Sequence, residues 1–409
     1  MRKEGASSKE LGKQEKRLYN HGLGHTQTIE DICFQKAQGD MITDTDGTSY
    51  IDLNGTLNLP LGHRWELARK VLKENFPLNA VSYATRERLE LCQKLEELFP
   101  EYSSFQFYSA GTEANEGAIR YAIAITGKDG FASFRKSYHG RTRATVSLCN
   151  MKEYNGNRLS GYYRVDYPSS EEEEERVLRE LKDMIQMEHK RTTAGVFIEP
   201  IQGKTIVIPP HDFLKRLKEE ICEPNQLLFI ADEYLTSMRC GVYSVCMSKG
   251  VYPDIITIGK CLGNGIPLAV MMCRKEYAEK VKNVKGSTTF GGNPFSCKMG
   301  LENLKKIEQD QLMERTVRVI ERVFYEETKV LGGNPLVKAC RAKGALLGIE
   351  VKDKQTCIAI SRRCLEAGVL VSCIGSVIRI TPSFVIEEDL LRKALRIICS
   401  QIQREGEHE

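Results

Sequence analysis

The sequence predicts an α/β fold, with a large domain on a mostly parallel sheet and a smaller α+β domain at the C-terminus. Three observations carry that expectation. From about residue 64, segments with helical spacing of apolar residues, such as 65–75 and 85–98, alternate with short β-rich runs. Several of those runs, 227–231 and 255–258 among them, are continuously apolar, as strands covered by helices on both faces are. Two of them end on charged residues, one at Asp232 and Glu233 and the other at Lys260, and in such sheets the carboxyl ends of strands face the ligand crevice.

Along the chain, residues 1–25 mix Lys, Glu, Ser and Gly without periodicity and read as a mobile arm, or as one ordered by a partner subunit. Asp46 and Gly47 separate two short alternating runs, the pattern of a two-residue hairpin turn. Strands are predicted at 105–108, 130–134, 195–198, 227–231, 255–258 and 268–273. The glutamate run 171–175 opens a helix reaching about residue 190, because carboxylates in a first turn complement the helix dipole; an acidic interaction tract is the alternative. After Gly300 a long helix to about 330 is followed by 344–351, 357–367, 377–381 and a last helix from 387, a mixed order that implies a separate domain. The division is 1–62 for an N-terminal arm and β segment that packs with the small domain, 63–300 for the large domain and 301–409 for the small one.

Composition narrows the classes of function. The 59 basic and 55 acidic side chains leave a net charge of +4, too little for a strong field toward nucleic acid or an anionic membrane. The apolar runs are too short to span a bilayer and residues 1–17 are too polar for a secretory signal, so a cytoplasmic enzyme is expected. Fourteen cysteines are scattered without a C-x-x-C pair and read as reduced thiols. No metal is expected, because the seven histidines do not cluster with the cysteines at ligand spacing.

Three local patterns carry chemistry. Residues 255–267 form an apolar strand that ends at Lys260 and runs into a glycine-rich turn. A lysine there can condense with an aldehyde if desolvation and neighbouring charge favour its neutral amine; a solvated surface lysine is the plain alternative. A second strand delivers Asp232, 28 positions earlier (260 − 232), and a carboxylate at such a place can pair with a protonated pyridine nitrogen. Its plain alternative is a helix cap or a surface turn. The third pattern, 105–120, is a strand, a tight Gly111-Thr112 turn and an amphipathic helix whose first amides attract a phosphate. It lacks the lysine of a nucleotide-triphosphate loop, so a phosphate monoester fits better.

Together with Ser137-Tyr-His-Gly-Arg-Thr142, Glu199-Pro-Ile-Gln-Gly203 and the stretch from Ser287 through Thr289 to Pro294, these patterns resemble the class III pyridoxal-phosphate aminotransferases over about residues 35–395. The resemblance implies fold type I, with a mainly parallel seven-stranded sheet in the large domain, and a homodimer with active sites at the interface. It implies pyridoxal 5′-phosphate as cofactor, an amino-acid donor and a carbonyl acceptor. By that likeness Lys260 carries the cofactor as a Schiff base and Asp232 holds the pyridine nitrogen. Gly111 and Thr112 bind the phosphate, Thr289 reaches the neighbouring subunit's phosphate, and Tyr138 stacks on the ring, unless it is simply a core tyrosine. Arg141 matches a carboxylate clamp and Arg379 a second substrate arginine, with structural ion pairs as the alternative for each.

The chain also departs from the family. Leu235 stands where many members have a glutamine that bonds the cofactor's phenolic oxygen, and Tyr234 where a small branched residue packs beneath the ring. The run from Asp232 to Arg239 is closer to the glutamate-1-semialdehyde aminomutase branch, which keeps an aminomutase or racemase reading open, whereas Arg141 replaces that branch's usual histidine. Lys204 replaces a glutamate common in ω-amino-acid members; if it and Arg379 both face the pocket, they would favour a substrate with more than one anionic group, or an extended polar one. Ala110 replaces a serine before the Gly-Thr turn, which removes one phosphate hydrogen bond.

Overall fold

The computed structural model describes residues 6–18, 32–77, 79–80, 82–149, 158–186 and 192–406. The chain divides into two compact units, one of residues 66–238 and 242–310, the other of 1–65, 239–241 and 311–409.

The first, larger unit is built on a seven-stranded sheet. Its strands are β1 (Tyr102–Tyr108), β2 (Gly130–Phe134), β3 (Tyr162–Val165), β4 (Thr193–Ile198), β5 (Leu228–Asp232), β6 (Ile255–Ile258) and β7 (Ala269–Arg274), in the order β1-β7-β6-β5-β4-β2-β3. Neighbours from β6 through β3 run parallel, and β7 alone is antiparallel to both of its neighbours. Every residue of β2, β4, β5 and β6 is buried, which is why these strands read as unbroken apolar runs. The expected mainly parallel sheet is present. Six strands match the predicted runs; β3, with Arg164 in its middle at the sheet edge, has no such run. Helix α1 (Gly111–Thr126) follows β1 and buries Ala114, Ala118, Tyr121 and Ala122 against Phe131, Phe197, Ile230 and Met271.

Three sequence expectations need correction. The N-terminal region is helical over Ser8–Leu18, and Ser8 ties it down by accepting from the Cys33 amide at 2.8 Å and donating its own amide to Asp46 at 2.7 Å; the rest of the expected arm lies outside the described residues. The hairpin forms between Met41–Asp44 and Ser49–Asp52, but its loop is longer than two residues because Asp44 Oδ1 gathers the amides of Asp46 and Thr48 at 3.0 and 2.9 Å. The helix expected from Gly300 to about 330 is broken once: Pro294–Gln309 ends before Gln311, where φ is +51°, and helical chain resumes from Leu312 to Leu331.

In the second unit, the hairpin strands join Phe34–Gln38 and Val369–Leu370 in one sheet. A separate four-stranded antiparallel sheet contains β8 (Val337–Lys343), β9 (Leu346–Val351), β10 (Ser372–Ile374) and β11 (Val377–Ile380), in the order β8-β9-β11-β10. Helices Lys354–Glu366 and Glu388–Gly406 pack in this unit. Arg239 serves the packing of the same unit. It is fully buried, donates to the carbonyls of Ala345 and Pro382 at 3.2 Å and Leu57 at 2.9 Å, and lies over the Phe384 ring.

Candidate active site

The parallel pairing of β5 with β6 sets Asp232 opposite Thr257, three residues before Lys260. Both chain segments leave the sheet at the same end, so a carboxylate and an amine converge from two local strand patterns. Lys260 itself has φ of +40°, a left-handed conformation that costs a residue with a Cβ about 1 kcal/mol or more and is retained chiefly where a site demands it.

Asp232 is 6% exposed. Its Oδ2 accepts from Asn115 Nδ2 at 2.8 Å and meets His139 Nδ1 at 2.9 Å, while Oδ1 accepts from the Tyr234 amide at 3.1 Å. Burial alone would raise its pKa. The hydrogen bond and charge of His139, the Lys260 ammonium and the Asn115 amide outweigh burial and hold the carboxyl below the usual aspartate range. His139 Nε2 is buried with no hydrogen-bond partner among the described residues, so the ring's side-chain hydrogen bond is the one Nδ1 donates to the Asp232 carboxylate. Thr257 completes the support by donating to Asn115 Oδ1 at 2.9 Å. His139, Asn115 and Thr257 are absent from the sequence-derived site; only the place of His139 beside Tyr138 could have pointed to one of them.

Next to this cluster, Tyr138 is half-buried, and its amide donates to Glu199 Oε2 at 2.9 Å. Glu199 is 6% exposed and also accepts from the Gly203 amide at 3.1 Å. Burial pushes its pKa up, and the nearby Asp232 charge adds to the rise, against the opposing pull of His139. Two cations lie over the Tyr138 ring, Lys204 Nζ 5.2 Å and Arg141 Cζ 5.6 Å from its centroid. Leu235 is buried against Gly203, which turns it to packing at the place of the family's glutamine.

The Thr112 hydroxyl is engaged by segment 141–145: it accepts from the Arg141 and Thr142 amides at 3.2 and 3.4 Å and bonds the Thr142 and Thr145 hydroxyls at 3.0 Å. Gly111 opens α1 beside it. Thr289 is exposed in the loop before Pro294, with its carbonyl accepting from Asn79 Nδ2 at 3.4 Å. Arg379 is 7% exposed on β11 and belongs to the second unit.

A buried, ionised carboxylate, an amine on the adjacent strand end and a helix start suit a pyridinium, an aldehyde and a phosphate in turn. The comparisons agree. The model of the family described as aminotransferase class-III matches residues 23–402, and the chain belongs to that family. Acetylornithine aminotransferase of Methanothermobacter thermautotrophicus is 30% identical over 383 residues, which cover 91% of this chain and 94% of that protein. A leucine/methionine racemase of Thermococcus litoralis is 29% identical over 90% of each chain. Among solved structures, a Bacillus anthracis aminotransferase has a TM-score of 0.87 at 25% identity, covering 97% of this chain and 98% of that one. The chain is therefore a class III aminotransferase of fold type I that uses pyridoxal 5′-phosphate, as its sequence motifs imply.

Proposed function

We propose that Lys260 and Asp232 are the catalytic side chains of this aminotransferase, and that it moves an amino group from an amino-acid donor to a carbonyl acceptor in two ping-pong half-reactions. The observation that carries the reading is a buried carboxylate at one strand end, bonded to His139 and Asn115, with Lys260 just past the end of the neighbouring strand. When bound, the cofactor supplies an aldehyde and a ring that takes up the electron pair left at the substrate's α-carbon. Asp232 would hold the protonated ring nitrogen of the cofactor, with His139 and Asn115 fixing its Oδ2. Lys260 Nζ would hold the cofactor's aldehyde carbon and, as a free amine, would carry the proton to and from the substrate's α-carbon. Gly111 and Thr112 would bind the phosphate, and Tyr138 would stack on the ring.

Arg141 clamps the substrate carboxylate, and Arg379 is kept as a second substrate arginine on the resemblance alone. The paired cations Arg141 and Lys204 over Tyr138 favour a substrate with a second anionic group. We read the chain as a homodimer in which Thr289 reaches the partner's cofactor phosphate. Exposed Tyr83, Leu89 and Phe290 support this, since Arg88 links their segments by donating to the carbonyls of Tyr83 and Gly292. No helix among the described residues is long and apolar enough to cross a membrane; the free cysteines, mostly buried, fit a reducing cytoplasm.

Borohydride reduction of the cofactor-loaded protein, followed by peptide mass mapping, is expected to label Lys260. A label elsewhere, or none from a fully loaded sample, overturns the assignment. Release of an oxo acid from a single amino donor separates transamination from racemisation, the activity named for the Thermococcus relative.

A further inference from the structure

Glu116 has no task in the reading above, yet it touches the segment that carries Arg141. Residues 139–145 lie against one face of α1, from which Thr112, Asn115 and Glu116 reach them; side chains three and four positions apart share a helix face. Asn115 Nδ2 donates to the His139 carbonyl at 2.8 Å, and the Thr112 hydroxyl accepts from the Arg141 and Thr142 amides. Gly140, with φ of +138°, allows so close an approach. A Cβ there would lie 2.2 Å from Thr112 Oγ1 and 2.6 Å from Thr145 Oγ1.

Directly after Arg141 the chain enters the short helix Arg143–Leu148, whose first amides have no partners within the helix. Thr142 is its N-cap, but the Thr142 side chain makes no cap hydrogen bond. Glu116 supplies the cap from α1: its Oε1 accepts from the Ala144 and Thr145 amides at 3.2 and 3.3 Å, the second and third of the helix. Those are the donors that an N-cap side chain ordinarily serves. The Thr142 hydroxyl gives its proton to the same oxygen, so its own oxygen can accept from the Thr112 hydroxyl 3.0 Å away. The Arg141 and Thr142 backbone is thereby tied to α1 at two points, Thr112 on one side and Glu116 on the other.

We propose that Glu116 is a positioning residue for substrate recognition: by capping helix Arg143–Leu148 from α1 it fixes the backbone from which Arg141 meets the substrate carboxylate. The inference rests on the assignment of Arg141 as the carboxylate clamp. Its effect passes through Arg141, so it shows in donor binding and not in the proton transfer done by Lys260. Glu116→Ala removes the cap. Glu116→Gln keeps an acceptor oxygen for the two amides and the Thr142 hydroxyl.

The first test is amide hydrogen exchange of the full chain, read by peptide mass. Glu116→Ala should speed exchange across 141–148 about tenfold or more and leave 228–234 as in the parent. Unchanged exchange across 141–148, or an equal rise in both stretches, overturns the proposal. The second test is steady-state kinetics of the cofactor-loaded protein with the amino-acid donor found to release its oxo acid. Glu116→Ala should raise KM about tenfold with kcat within about threefold, and Glu116→Gln should keep KM within about threefold of the parent. A loss in kcat at parental KM, or a Gln variant as impaired as the Ala variant, overturns it. Repeating Glu116→Ala in an Arg141→Ala background should raise KM no further, because the clamp it positions is gone; a second full tenfold rise overturns it. Arg141→Ala also keeps the two ideas apart. If it alone raises KM, while Glu116→Ala does not, the positioning role falls and the clamp stands; if it leaves KM at the parental value, the clamp falls and the inference with it.

Discussion

At the end of β5 the chain turns one carboxylate toward the proposed active site and the next into its support. Asp232 meets a histidine, an amide and the charge of Lys260, and its pKa is held low. Glu233 is equally buried but meets only uncharged donors: the Val245 and Cys246 amides at 2.7 and 3.0 Å, the Ser244 hydroxyl at 2.5 Å and the Thr236 hydroxyl at 3.1 Å. Burial pushes its pKa up in spite of all four. Glu233 thus fastens the start of helix Val245–Ser248, while the carboxyl of Asp232 is held low at the proposed site. At Glu233 four neutral hydrogen bonds do not offset desolvation, whereas at Asp232 the interactions with His139, Lys260 and Asn115 together do.

The largest test of this division is Lys260→Ala, which removes both the nucleophile and a charge facing Asp232. Transamination should fall by at least about 10²–10⁴-fold, measured as single-turnover oxo-acid release, with unfolding still cooperative. Asp232→Asn comes next, at about 10²-fold or more in kcat, because a neutral amide cannot hold a pyridinium. Lys204→Glu should raise KM for a donor with two carboxylates about tenfold and change KM for a monocarboxylic donor much less, as read from initial rates. Glu233→Ala should leave kcat within about threefold yet cost about 1–3 kcal/mol in denaturant unfolding, since it strands buried donors. An Asp232→Asn variant with parental kcat would erase the contrast altogether.

The smallest effect is also the sharpest, because the two carboxylates should respond to pH with opposite signs. Asp232 has a lowered folded pKa, so its stabilisation is present above the ordinary aspartate value of about 4 and is lost as pH falls through the folded value. Glu233 has a raised one, so its contribution is present below about 4 and is lost as pH rises through the folded value. Unfolding midpoints measured against pH should therefore show the Asp232→Asn penalty shrinking in acid and the Glu233→Ala penalty shrinking toward neutrality. Parallel curves would mean that the two environments do not differ as described.

Asp232 and Lys260 are legible in the sequence because each is a local pattern, an apolar strand with a charge at its end, and buried parallel strands leave that signature without help from distant residues. The Gly111-Thr112 turn is legible for the same reason, and so is the family, whose motifs are short and ordered. The partners of Asp232 are not. Asn115 lies 117 positions away and His139 lies 93, and neither has a spacing that points to a carboxylate. Glu233 has the same sequence neighbourhood as Asp232; strand pleat turns successive side chains to opposite faces, so only the finished sheet decides which acid reaches the site. Strand β3 hides its pattern because an edge strand tolerates Arg164. The helix break at Gln311 hides because a left-handed residue other than glycine carries no sequence signal of its own. By itself, then, the sequence determines the family, the mainly parallel sheet and the strand ends that bear amine and acid, all of them consequences of short-range patterning. Tertiary structure alone determines which acid is ionised and what holds it, because those depend on desolvation and on contacts between segments far apart in the chain.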